Sequence, residues 1–113
     1  MQRLNAATTP ALRTMTLHAS PLVWTQHAAE RAELKGVPLH RALHVPAGGI
    51  VEVELGDQDK LTKVVCRVQH TATHDAVYVL VPRGNGWLVV TSWTNSVTDT
   101  HSTLRTERLG VIA

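Results

Sequence analysis

The chain changes from a helical to an alternating pattern of apolar and polar positions near residue 50. Upstream of that point, residues 25–35 have the spacing of a helix, and Gly36 can adopt the left-handed conformation that ends a helix. Ser20-Pro21 offers an alternative start, because a serine N-cap precedes a proline at the first helical position. A second short helix is predicted over residues 39–44.

Downstream of residue 50, the period of two predicts β-strands. Residues 50–55 alternate cleanly, with Glu52 and Glu54 on the outer face. The four predicted strands cover residues 50–55, 61–69, 76–81 and 87–93. The sequence therefore predicts an α+β fold, in which two N-terminal helices pack on a four-stranded antiparallel sheet. This single domain would span residues 20–113, after a flexible N-terminal arm at residues 1–19.

The composition is that of a single globular domain. The 113 residues suffice for one hydrophobic core, and 43% of them are apolar. A formal net charge of +2 indicates a mildly basic protein, well short of one that coats DNA. Cys66, the single cysteine, lies in an apolar run, which predicts a buried and inert thiol. Because the sequence has no run that could span a membrane and no signal peptide, we expect a cytoplasmic protein.

A cationic ridge on the first predicted helix is the most informative feature of the sequence. His27, Arg31 and Lys35 are spaced four residues apart and therefore share one helix face. These groups suit phosphate chemistry, with His27 as general acid or base, Arg31 stabilising the transition state and Lys35 holding a phosphate. The alternative is an ordinary solvated helix face, on which Arg31 pairs with a nearby carboxylate.

A second group of candidate residues lies at the end of the last predicted strand and beyond it. His101 can complete an acid–base pair with His27, a role that rests on its position alone. Trp93 can stack on a base, a contact worth roughly 1–3 kcal/mol. The candidate substrate-binding residues in this region are Thr91, Trp93, Asn95 and Arg105. The alternative is that Trp93 belongs to the core and that the polar residues form a loop.

Two histidine pairs have the spacing of metal ligands on a helix. His70 and His74 are followed by Asp75, but they lie between two predicted strands, where helical spacing is not imposed. His40 and His44 lie on the second predicted helix. Neither pair has an obvious third ligand nearby in the sequence, so we expect no metal site, and the predicted chemistry requires no cofactor.

Two segments together resemble a known group of proteins. Gln26–Leu43 contains a His-Ala-x-x-Arg motif, then a basic residue and Gly-Val, and Leu88–Trp93, in which Ser92 separates Thr91 from Trp93, matches a Val-Val-Thr-aromatic segment. This combination resembles a small, uncharacterised bacterial and phage family akin to RelE- and BrnT-type toxins, and so to the barnase–EndoU–colicin–RelE ribonuclease fold. The resemblance implies metal-independent RNA cleavage, with His27, Arg31 and Thr91 at the family's motif positions.

Two functions from different classes are compatible with the sequence. The first is a metal-independent, RNA-cleaving, toxin-like protein, whose partners would be RNA and an antitoxin. It requires His27 to converge with His101, Thr91 or Asn95. The second is a non-enzymatic phage or mobile-element protein that binds and modulates a host protein, which an exposed apolar patch or a large symmetric interface would favour. A homodimer formed through an edge strand is compatible with both.

Overall fold

The computed structural model describes residues 2–98, and more than half of these residues lie in β-strands. The strands are β1 (Gln2–Asn5), β2 (Leu17–Val23), β3 (Ala42–Val45), β4 (Ile50–Leu55), β5 (Leu61–Gln69), β6 (His74–Arg83) and β7 (Gly86–Ser96). The α-helix in this part of the chain is α1 (Gln26–Leu34), and 3-10 turns occur at Pro10–Thr14 and Asp57–Asp59. No helix among these residues is both long and apolar enough to cross a membrane.

The strands form one curled, mixed sheet in the order β1-β4-β5-β6-β7-β2-β3. The strands from β4 to β7 are successive antiparallel neighbours, close to the four predicted strands. β2 runs parallel to β7, with Leu22 opposite Trp87 and Val23 opposite Leu88, and β3 is antiparallel to β2. β1 and β3 are therefore the two edge strands of the described sheet.

The predicted α+β fold, with two helices on a four-stranded antiparallel sheet, is wrong. The described protein is mainly β, with a single α-helix. The second predicted helix, residues 39–44, is not formed, and its last residues belong to β3. In this strand Leu43 and Val45 are buried while Ala42 and His44 are exposed. This alternation is the period of a strand. Pairing with β2 satisfies the backbone groups on one side of β3, and a short sequence window contains no information about that partner.

The predicted flexible arm, residues 1–19, contributes to the fold over its described part. Residues 2–19 contain β1, the first 3-10 turn and the start of β2. β1 pairs with β4, where Arg3 lies 3.8 Å from a carboxylate oxygen of Glu52. Leu12 of the 3-10 turn is 3% exposed and belongs to the main core. Backbone pairing and this buried leucine hold the segment on the sheet.

Both faces of the central strands are buried. Cys66 of β5, Tyr78 of β6 and Val89 of β7 belong to the main hydrophobic cluster. Val65 and Val77, which precede two of these residues in sequence, belong to a smaller cluster. Because successive side chains of a strand point to opposite faces, the two clusters lie on opposite sides of the sheet.

A buried ion pair lies on the same face of the sheet as the smaller cluster. Nε of Arg67 donates to Oδ2 of Asp75 at 2.6 Å, and Nη2 donates to the carbonyl oxygen of Ser96 at 2.6 Å. The two charged side chains are 1% and 0% exposed. The guanidinium of Arg67 therefore ties β5 to both β6 and β7.

Candidate functional site

Helix α1 has a defined capping interaction at each end. The hydroxyl oxygen of Thr25, the N-cap, accepts a hydrogen bond from the backbone N–H of Ala28 at 3.0 Å. At the other end Gly36 has a φ of +72°, and the backbone N–H of Val37 donates to the carbonyl oxygen of Ala32 at 2.8 Å. The predicted left-handed termination at Gly36 is therefore confirmed. The alternative start at Ser20-Pro21 is wrong, because these two residues lie in β2.

An open groove lies between α1 and β7. Ala28 and Ala32 are the buried residues of the helix, and their small side chains allow it to approach the sheet closely. The groove has a volume of about 260 Å³. Its lining consists of His27, Ala28, Arg31 and Lys35 from the helix and its C-cap, and of Val90, Thr91 and Ser92 from β7. The cationic ridge thus faces the strand across this space, which we term the α1–β7 groove.

A β-bulge shapes the strand side of the groove. Val79 of β6 pairs with Thr91, whereas Leu80 pairs with Val89, so Val90 is an extra residue without a partner on β6. An extra residue of this kind bends the strand and redirects its side chains. The side chain of Val90 is 52% exposed. The bulge thereby adds an apolar surface to a groove whose helix side is cationic.

Lys35 connects the end of the helix to β7. β2 pairs with β7 at Trp87 and Leu88, before the residues that line the groove. Beyond that pairing, Nζ of Lys35 donates to the carbonyl oxygen of Ser92 at 3.1 Å. This hydrogen bond holds the ammonium group at the strand side of the groove, where it remains available to a negatively charged ligand.

The positive charge of the groove has no carboxylate partner among residues 2–98. None of the lining residues is acidic. No described carboxylate lies within ion-pair distance of Arg31 or Lys35. Glu30 of the same helix instead accepts a hydrogen bond from Nε2 of Gln26 at 3.0 Å. Within this part of the chain, the paired helix face considered for Arg31 is therefore not formed.

The groups in the groove are suited to bind an anion and to move a proton. His27, Arg31, Lys35 and Thr91 are all exposed, so a ligand can reach them directly from solvent. The guanidinium, ammonium and hydroxyl groups are donors that match the oxygens of a phosphate. The imidazole of His27 is the group in this set whose ring nitrogens can act as a hydrogen-bond donor and an acceptor toward a bound ligand.

The predicted site residues divide between this groove and other locations. Four of them line the groove, namely His27, Arg31, Lys35 and Thr91. Trp93 packs against the smaller hydrophobic cluster and does not line the groove. Asn95 pairs with Asp75 near the end of β7, also away from the groove lining. His101 and Arg105 lie outside the described residues.

The histidines of the predicted metal-ligand pairs have other neighbours. The ring of His44 lies 6.1 Å from that of His18, between ring centres, and the ring of His40 lies 6.3 Å from that of Tyr78. His74 begins β6, after the short connection from β5. In the part of the chain that the structure describes, no group of three or more His, Cys, Asp or Glu side chains is arranged to hold a metal ion.

Two groove residues on β7, Val90 and Ser92, were not predicted from the sequence. No signal for Val90 was present, because residues 87–90 are a continuous apolar run with no alternation that the bulge could interrupt. Ser92 contributes its backbone carbonyl oxygen, which every residue has, so no side-chain pattern could have identified it.

Comparison with family models, curated proteins and solved structures found no match to this chain. The resemblance based on the His-Ala-x-x-Arg and Val-Val-Thr-aromatic motifs stays a prediction. The two-helix fold expected from it is not the fold of residues 2–98.

Proposed function

We propose that the protein binds the phosphodiester backbone of RNA in the α1–β7 groove and cleaves it without a metal ion, with His27 as the group that moves the proton. One observation carries this proposal. The groove brings His27, Arg31, Lys35 and Thr91 together, and no acidic residue is among its described lining residues. A site of this composition attracts anions and contains a titratable group at the same place.

The size and openness of the groove favour one unit of a polymer as its occupant. Its volume of about 260 Å³ is near the lower end of ligand pockets, which start at about 300 Å³. It can therefore hold one phosphate with part of the attached nucleotide, while the rest of the strand continues through solvent. The exposed side chain of Val90 offers an apolar contact to the sugar or base beside that phosphate.

RNA is favoured over DNA because its 2′-hydroxyl is a nucleophile already adjacent to the phosphorus. Neutral His27 accepts the proton of the 2′-hydroxyl as the 2′-oxygen attacks phosphorus. The bond from phosphorus to the 5′-oxygen breaks, and the 5′-oxygen takes a proton from water or from a second acid. The products are a 2′,3′-cyclic phosphate and a 5′-hydroxyl. The second acid is the role predicted for His101, which lies outside the described residues.

The remaining groups act on the phosphate. The guanidinium of Arg31 donates to the non-bridging oxygens, where negative charge increases in the transition state. The hydroxyl of Thr91 and the ammonium of Lys35 orient the phosphate from the strand side. Lys35 is positioned for this by its hydrogen bond to Ser92.

The first prediction concerns cleavage by variants of His27. Purified protein is incubated with end-labelled RNA in EDTA, and the cleavage rate is compared for the wild type, His27→Ala and His70→Ala. We expect His27→Ala to lower the rate by about 10²–10⁴-fold, the usual contribution of a general acid or base. His70 is exposed and outside the groove, so His70→Ala should keep the wild-type rate.

A DNA strand of the same sequence should not be cleaved, because it lacks the 2′-hydroxyl. The RNA fragments should end in a 2′,3′-cyclic phosphate, which mass spectrometry detects. Absence of cleavage by the wild-type protein on several RNAs, with and without ribosomes, would overturn the enzymatic proposal and favour a binding protein. Equal rates for wild type and His27→Ala would remove His27 from the mechanism.

A further inference from the structure

Two histidines from neighbouring strands lie side by side at one edge of the sheet. His18 belongs to β2 and His44 to the edge strand β3. Their ring centres are 6.1 Å apart, and the ring planes are tilted by 33°. Both residues are exposed. This pair lies outside the α1–β7 groove and has no role in the proposed cleavage.

The strand geometry explains why the two rings meet on the outer surface. Leu17 of β2 pairs with Val45 of β3, and each histidine is the residue next to one of these partners. Leu43 and Val45 are buried, so the alternation of β3 directs His44 outward. Within residues 2–98, neither imidazole is engaged in a hydrogen bond or an ion pair. The ring nitrogens therefore remain available to a ligand.

We propose that His18 and His44 form a two-histidine binding site for a transition-metal ion of the zinc, nickel or copper class. Imidazole nitrogen is a preferred ligand for these ions. Because each nitrogen lies about 2 Å from a bound zinc ion, two imidazoles on one ion have ring centres roughly 5 Å apart. The observed 6.1 Å requires only a small rotation of the side chains. The other coordination positions are filled by water or by a ligand from outside this pair.

The two ligands are pre-positioned because they lie on paired strands. β3 has β2 as its neighbour in the described sheet and no strand on its other side. A metal ion bound by His18 and His44 joins β2 to β3 through their side chains, in addition to the backbone hydrogen bonds. Metal binding should therefore protect this edge from opening as well as occupy the two imidazoles.

The test is a titration of the whole chain with ZnCl₂, followed by the imidazole signals in ¹H–¹⁵N NMR spectra. We expect the signals of His18 and His44 to shift together with a stoichiometry of one ion per chain, and EDTA to reverse the shift. In metalloproteins, removal of a residue that only hydrogen-bonds to a metal ligand weakens metal binding by about tenfold or more. Removal of a ligand itself, in His18→Ala or His44→Ala, should therefore weaken zinc binding by at least that factor.

Two comparisons make the result specific. In the double variant His18→Ala/His44→Ala, the second substitution should cost less affinity than the first, because the two ligands act on the same ion. His70→Ala, which removes another exposed histidine, should keep the wild-type affinity. Unchanged affinity in both single variants, or zinc-induced shifts confined to other histidines, would overturn the proposal. Amide spectra of each variant report whether the fold is retained, and the exposure of both side chains favours that outcome.

Discussion

Arg67 and Asp75 are the charged residues whose placement most constrains the centre of this sheet. Neither side chain reaches solvent, and the guanidinium of Arg67 also holds the carbonyl of Ser96. A buried charge is tolerated when its partner is present and becomes costly when the partner is removed. The stability of three strands therefore depends on both members of the pair.

Asp75→Asn is expected to destabilise the protein by about 3–5 kcal/mol, because it leaves the charge of Arg67 buried without its counter-charge. Urea unfolding measures this change in the free energy of unfolding. Lys63→Ala is the control, since Lys63 lies 3.4 Å from Glu54 in a partly exposed pair that should contribute less than about 1 kcal/mol. Similar small effects from both substitutions would show that the buried pair is not a main source of stability.

Cys66 illustrates a residue whose predicted burial is confirmed. It is 0% exposed, and burial raises the pKa of its thiol to about 12 from an ordinary value of 9.0. Between these two values the unfolded chain loses the thiol proton while the folded protein retains it. The stabilisation is thus complete below pH 9 and is lost as the pH rises towards 12.

We therefore expect the free energy of unfolding of the wild-type protein to fall by about 1 kcal/mol more than that of Cys66→Ala between pH 8 and pH 10. Urea unfolding at the two pH values measures this difference. Burial, and to a lesser extent the neighbouring Cys66, also raises the pKa of Tyr78, and the burial contribution is common to both proteins. Parallel pH profiles for the two proteins would contradict this account of Cys66.

At the scale of single elements, two positions require glycine for different structural reasons. Gly36 ends α1 with a φ of +72°, and a Cβ at this position would meet no atom within 4 Å. Gly86 begins β7 against β2, and a Cβ there would collide with the backbone carbonyl of Pro21. The first glycine is required for its backbone conformation, and the second for the close approach of two strands.

Gly36→Ala should destabilise the protein by about 1 kcal/mol, the cost of a left-handed conformation for a residue with a Cβ. Gly86→Ala should cost more, roughly 3 kcal/mol, because β2 must move away from β7 to make room. Thermal unfolding of the two variants compares these costs. An equal or smaller loss for Gly86→Ala would mean that β2 and β7 separate without difficulty.

The elements that were predicted correctly are those whose signals are local. The termination of α1 depends on Gly36, and the strands from β4 to β7 are alternating or continuously apolar runs that follow one another in the sheet. β3 was missed because its strand character depends on pairing with β2, from which it is separated by the helix. The predicted helix start at Ser20-Pro21 was wrong for the same reason. The local Ser-Pro pattern favours a helix start, but Pro21 lies in β2.

At the scale of the whole molecule, the sequence could predict the cationic ridge but not what faces it. The spacing of His27, Arg31 and Lys35 follows from the helix alone. The opposing residues Val90 and Ser92 come from β7 and reach the ridge because β2, just before the helix, lies beside β7 in the sheet. This parallel pairing joins distant parts of the chain, and no local pattern in the sequence indicates it.

The formal net charge of +2 is too small to attract RNA to the whole surface, so binding should depend on the groove. We expect Arg31→Ala and Lys35→Ala to weaken binding of a non-cleavable 2′-O-methyl RNA. Each should reduce the dependence of log affinity on log salt concentration by about 0.7, the value for one phosphate contact on a single strand. Fluorescence anisotropy at several salt concentrations measures both quantities.

The matched controls are Arg83→Ala and Lys60→Ala, which remove the same charges from exposed positions outside the groove. A smaller effect of the controls supports binding in the groove. Equal losses for all four variants would instead indicate non-specific attraction to the protein's total charge.

The parallel contact of β2 with β7 also has a consequence for biosynthesis. The helix side of the groove is translated early and the strand side late, so a nascent chain lacks the complete groove until residues 90–92 have left the ribosome. Ribosome-bound chains stalled at residue 84 should accordingly show no RNA cleavage, whereas released full-length chains should. Under the proposed function, a nascent chain with this topology cannot cleave the messenger that encodes it before residues 90–92 have been translated and have left the ribosome.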